Sequence, residues 1–169
     1  MRSEAPWPKL VVFDLDYTLW PVCMYELIGK LWVDTHVDPP LQRRAGALNE
    51  VVDRGILFEL KRRNVQVAAA SRTCAPRVAR QALQGLWIAS TPDEKPVSVG
   101  CSKVAHFEQL AQATGIDYVD MLFYDDEHRN ADVQKKLGVH FVQVGSRGLD
   151  RATFEQGLQA WRKRRQTAA

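Results

Sequence analysis

Short apolar runs alternate with stretches of helical period along the 169 residues of the chain. Leu10 to Asp14, Val65 to Ala70, Met121 to Asp125 and Val139 to Val144 are short apolar runs bounded by turns or loops, and a weaker run covers Leu86 to Ala89. Each has the length of a strand and falls short of a helix. Between them, helical spacing recurs near 47–63, 75–84, 103–113 and 128–136, and again over 151–164. Strand followed by helix, repeated, predicts an α/β fold, a parallel sheet with helices on both faces. No internal repeat, low-complexity tract or linker interrupts this alternation. One domain over 1–169 is expected, with a core at about 9–145 and a C-terminal helix over 151–164.

Composition narrows the setting. A chain of this length buries about 70% of the surface that its unfolded form exposes, and 46% hydrophobic with 25% charged residues is ordinary for a globular protein. No apolar run approaches the ~20 residues of a membrane-spanning helix. The opening MRSEAPWPKL has no apolar core of a signal peptide, so a cytoplasmic protein without a membrane partner is expected. Cys23, Cys74 and Cys101 are odd in number and widely spaced, the pattern of free thiols in a reducing compartment. The net charge of +3 is concentrated in WRKRR at 161–165, where cations suit a helix C-terminus, and no nucleic-acid partner is expected from it.

In open α/β sheets, ligands bind beyond the carboxyl ends of the strands. Those ends carry Asp14-Leu15-Asp16, Ser71-Arg72-Thr73 and Asp125-Asp126-Glu127. By the two-residue repeat of a strand, Asp14 and Asp16 start on one side. Crowded like charges call for a cation between them or a retained proton. Several carboxylates at one rim offer the hard oxygens that suit magnesium, which keeps waters and takes a substrate phosphate. Lys103 opens a predicted helix, where the dipole disfavours a cation. That lysine is instead suited to a phosphate and the nucleophilic carboxylate. Ser71 and nearby backbone N–H groups can hold phosphate oxygens, and Arg72 can add a bidentate contact. These are the parts of phosphate-monoester hydrolysis: Asp14 attacking phosphorus, Asp16 shuttling the proton, and Thr18 bracing the loop.

The segments FDLDYT, AAASRT, GCSKVAHF and FYDDEHRN, in that order, resemble the four motifs of the haloacid-dehalogenase superfamily of aspartate-nucleophile phosphatases. DLDYTLWP, WVDTHVDPP and DDEHRN look more narrowly like its small magnesium-dependent phosphatases. The resemblance implies a Rossmann-like three-layer sandwich with a mainly parallel five-stranded sheet in the order 5-4-1-2-3 and no large cap domain. It implies Asp14 as nucleophile and Asp16 as acid and base. Phosphate would be contacted by Leu15, Ser71, Arg72 and Lys103. Magnesium would lie on Asp14, the Asp16 backbone carbonyl, and Asp125 or Asp126, with Asp126 favoured. Implied substrates are phosphotyrosine in proteins or sugar phosphates such as fructosamine phosphates, handled by a monomer whose open site admits a phosphoprotein or a phosphorylated small molecule.

One departure from the subfamily pattern is the stretch VCMYELIGKL at 22–31, which separates DLDYTLWP from WVDTHVDPP. Met24, Leu27, Ile28 and Leu31 have the spacing of a short amphipathic helix. Lying beside the nucleophile loop, it raises the alternative of a catalytically impaired binding protein. Trp20, Trp32 and His36 are candidates for the mouth of the site. A rival thiol chemistry at CAPRVAR, 74–80, has the Cys-to-Arg spacing of cysteine phosphatases, yet no glycine there opens the loop of N–H groups such a thiolate needs.

Overall fold

The computed structural model describes residues 5–19, 55–72 and 102–168. Its strands are β1 (Leu10–Phe13), β2 (Gln66–Ala69), β3 (Met121–Asp125) and β4 (His140–Gln143). Its α-helices are α1 (Phe58–Arg62), α2 (Lys103–Thr114), α3 (Asp132–Leu137) and α4 (Arg151–Ala168). The sheet runs β2-β1-β3-β4 with every pair parallel. Among the described residues it has four strands, not five. The fifth expected strand, Leu86 to Ala89, and the expected helix at 75–84 lie outside the described residues, and the four strands that are described keep the expected order.

Strand parity divides the core. Val11, Phe13, Ala69, Leu122 and Tyr124 face one side, where Ile56, Leu57 and Leu60 at α1 and Phe154, Leu158 and Trp161 of α4 cover them. Leu10, Val12, Ala68, Met121 and Phe123 face the other, against Phe107 and Leu110 of α2 and Val133 at α3. The central strands are apolar at consecutive positions because both faces are covered. β1 is buried along its whole length, and so is β3.

The basic run near the C-terminus is only partly a solvated face. Trp161 is buried and donates its indole N–H to the Val119 carbonyl at 3.0 Å. Arg162 donates to the Pro6 carbonyl at 2.8 Å and Arg165 pairs with Asp120, which also holds Lys9 at 2.8 Å. These contacts fasten α4 to the amino ends of the strands. Among the described residues, no helix is long and apolar enough to cross a membrane.

Candidate active site at the carboxyl ends of the strands

The register creates the site. Phe13 lies opposite Ala69 on one side and Tyr124 on the other. One step further brings Asp14, Ala70 and Asp125 abreast, and Asp14 N–H still donates to the Tyr124 carbonyl at 2.9 Å while Ala70 N–H donates to that of Phe13 at 2.9 Å. Parity turns all three toward the α2 side of the sheet. Lys103, the first residue of α2, enters there with its ammonium. It pairs with Asp14, donates to the Ala70 carbonyl, and lies 3.1 Å from Asp125.

α2 starts where it does because the Ser102 hydroxyl accepts the Ala105 N–H at 3.3 Å. The dipole at that end opposes a cation. Two carboxylates and a carbonyl outweigh this, and Lys103 is only 2% exposed.

Asp14, Asp125 and Asp126 place one carboxylate oxygen each within 4.8 Å of the others. The Asp16 carboxylate is not in this group. The crowding seen in this group is of Asp14 with Asp125 and Asp126, and the strand parity used to pair Asp16 with Asp14 stops short of Asp16, because β1 ends at Phe13. Thr18 and Leu19 N–H donate to the Leu15 carbonyl at 3.2 and 2.9 Å, and Tyr17 adopts φ 57. The turn buries Leu15 in the core and leaves Asp16 half-buried at the rim. Thr18, fully buried, points its hydroxyl at Asp126 across 3.5 Å and accepts the Leu149 N–H on its carbonyl at 2.9 Å, so it does brace the loop.

Burial pushes Asp14 up to about 7, against the pull of Lys103 and helped by repulsion from Asp125 and Asp126. Asp126 is raised too, by burial and then by Asp125. Three clustered acids with one ammonium lack positive charge, and hard oxygen donors at this spacing fit a divalent cation that prefers carboxylates. Glu127 behaves differently: burial alone would raise it, yet hydrogen bonds from Arg129 and Arg72 hold it below the usual glutamate range.

Ser71 is buried at the end of β2 and Arg72 follows half-exposed, its guanidinium on Glu127. Sequence reasoning gave no role to Asn130, which the structure puts at the base of the cluster. Its amide donates to Asp125 at 2.8 Å and to Glu127 at 3.2 Å. The segment DDEHRN contained the signal, since an asparagine five residues after a buried acid can turn back through one 3₁₀ turn to satisfy it. His106 was also missed. It is buried one turn beyond Lys103, neither ring nitrogen has a partner among the described residues, and burial with the nearby charges of Lys103 and Arg72 lowers it to about 4. Trp20, Trp32, His36, the segment 22–31 and CAPRVAR lie outside the described residues.

Comparisons with known proteins give the family and the fold. The family model described as Acid Phosphatase matches residues 6–164. Human magnesium-dependent phosphatase 1 is 39% identical over 168 residues, covering 92% of this chain and 88% of the human protein. A HAD-like hydrolase superfamily protein of Schizosaccharomyces pombe is 38% identical over 163 residues, covering 85% of this chain and 89% of its own. Among solved structures, the N-terminal part of a Bacteroides fragilis protein, containing a phosphatase domain complexed with Mg, shares the fold with a TM-score of 0.58 at 15% identity, over 92% of this chain and 40% of that one. With three motifs at the ends of parallel strands, the fourth at the start of α2, and a family match across nearly all its length, the chain belongs to the acid phosphatase family of the haloacid-dehalogenase superfamily.

Proposed function

We propose that this chain is a magnesium-dependent phosphatase that hydrolyses phosphate monoesters through an aspartyl-phosphate on Asp14. The observation that carries this reading is the meeting of Asp14, Asp125 and Asp126 with the Lys103 ammonium. Asp14 is the nucleophile, its oxygen forming a bond to phosphorus as the ester oxygen leaves. Asp16, outside the carboxylate trio, gives its proton to that leaving oxygen. It then takes a proton from the water that attacks the aspartyl-phosphate, which frees inorganic phosphate and restores Asp14. Lys103 balances charge on Asp14 and the phosphate, and Ser71, Arg72 and the Leu15 backbone hold the remaining oxygens. Asp14, Asp126, Asp125 and the Asp16 carbonyl are the groups to hold magnesium, which supplies charge that keeps Asp14 ionised and neutralises the phosphate.

The substrates are phosphotyrosine in proteins or sugar phosphates such as fructosamine phosphates, met by a cytoplasmic monomer. The similarity to magnesium-dependent phosphatase 1 supports the magnesium-dependent phosphatase activity from which these substrates are proposed.

The test is hydrolysis of an aryl phosphate by the wild type and Asp14→Asn, each with magnesium and with a chelator. Activity that needs both magnesium and Asp14 is expected. A folded wild type that hydrolyses no phosphate ester would instead favour the impaired binding protein, with 22–31 as the segment to remove next.

A further inference from the structure

Glu127 is a carboxylate where a phosphate-binding rim has least use for one, since a bare glutamate repels a phosphate dianion. The structure does not leave it bare. Arg72 pairs with Glu127 Oε2, and Arg129 grips both carboxylate oxygens at 3.0 and 2.6 Å. Asn130 adds a third donor at 3.2 Å while also donating to Asp125 at 2.8 Å. The Glu127 backbone N–H donates to the other Asp125 oxygen at 2.7 Å. A continuous network therefore runs from Arg72, just past β2, to the carboxylates at the end of β3. Two guanidiniums on one carboxylate leave the group with one net positive charge.

We propose that Glu127 is a positioning residue that presets the Arg72 guanidinium for the substrate phosphate. The inference rests on the phosphatase reading, which puts the phosphate beside Arg72. A free arginine would lose considerable rotamer freedom on binding phosphate. One tied, among the described residues, through a single nitrogen to an anchored carboxylate has lost much of it already, with other donors to offer the phosphate.

The test is a double-mutant cycle on the full chain: wild type, Arg72→Ala, Glu127→Ala and both together. Calorimetry with inorganic phosphate in saturating magnesium reads binding without turnover, and aryl phosphate hydrolysis by the same proteins reads catalysis. Glu127→Ala is expected to weaken phosphate binding about tenfold, the size of a coupling between contacting charged groups. In the Arg72→Ala background the same change should cost nothing more. KM should rise while kcat stays within about threefold, and Glu127→Gln, which keeps an acceptor for Arg72, should recover part of the loss. The magnesium half-saturation point should hold, since the backbone N–H on Asp125 survives the substitution. Equal losses in both backgrounds, unchanged binding in Glu127→Ala, or a magnesium defect of the same size would overturn the inference. A coupled cycle without turnover would sink only the phosphatase reading, whereas turnover with an additive cycle would sink only the role of Glu127. Wild type that binds no phosphate would sink both.

Discussion

Lys103 is the side chain on which the site's electrostatics turn. It is buried, and it is the only ammonium among the described residues that touches both Asp14 and Asp125. Removing one member of a buried ion cluster leaves the others uncompensated, typically at about 3–5 kcal/mol. Lys103→Met is thus expected to lower stability by that order in urea unfolding with a chelator present, and to cut kcat/KM for an aryl phosphate by about 10²-fold or more. Asp14 should act in the opposite sense. Its folded value of about 7 lies above the ordinary 3.8, so between these values the metal-free native state binds more protons than the unfolded chain. Stability then falls as pH rises through that window and levels off above it. Asp14→Asn should flatten this slope, leaving the smaller share of Asp126, and, with a chelator, melt higher than wild type at neutral pH, with the difference shrinking toward pH 4. A variant that melts lower than wild type at neutral pH would show that Asp14 is not under this strain. At this scale the sequence was informative: Asp14, Lys103, Asp125 and Asp126 do meet, because each lies at a strand end or helix start. Strand parity was a weaker guide to Asp16, since β1 ends at Phe13, three residues before it, and a turn follows.

Among the elements, α4 depends on a residue that is poor for helices. Gly157 lies so close to the sheet that a Cβ there would stand 2.7 Å from the Tyr124 hydroxyl and 2.8 Å from a Val142 methyl. Alanine favours a helix by about 1 kcal/mol over glycine, but here it would push Tyr124 off the Phe154 carbonyl that accepts its hydroxyl at 2.7 Å. Gly157→Ala is therefore expected to destabilise by about 1–3 kcal/mol in urea unfolding, as overpacked cores do. A gain in stability would mean that α4 can lift away freely. Strand positions could be read from apolar runs, and β3 falls where it was expected, at Met121–Asp125. The close approach at Gly157 was not legible, since a glycine inside a helical repeat looks the same whether it faces water or a tyrosine. Register was equally hidden, because parallel strands have no hairpin turn to fix it.

For the molecule as a whole, the sheet separates stability from chemistry. α4 is fastened at the amino ends of the strands by Trp161, Arg162 and Arg165, while the carboxylates gather at the other ends. Magnesium bound at the carboxylates should stabilise the native state by mass action, about 2.7 kcal/mol at a hundredfold excess over Kd. Thermal melts with increasing magnesium should rise for wild type and stay flat for Asp126→Ala; a parallel rise in both would remove Asp126 from the metal site. The layered α/β architecture was legible because alternating strands and helices leave few alternatives. The pairing of Arg72 with Glu127 was not, since it joins residues 55 apart that only the completed sheet brings together.

The position of β1 also governs how the protein comes into being. It is made first of the four described strands, yet it lies between β2 and β3, and its partner Met121–Asp125 leaves the ribosome more than a hundred residues later. Until then one edge of an entirely apolar strand has no partner, the condition under which nascent chains stick to one another. Asp14 at its end belongs to the same delayed event, so the carboxylate cluster is assembled only with the closing of the sheet.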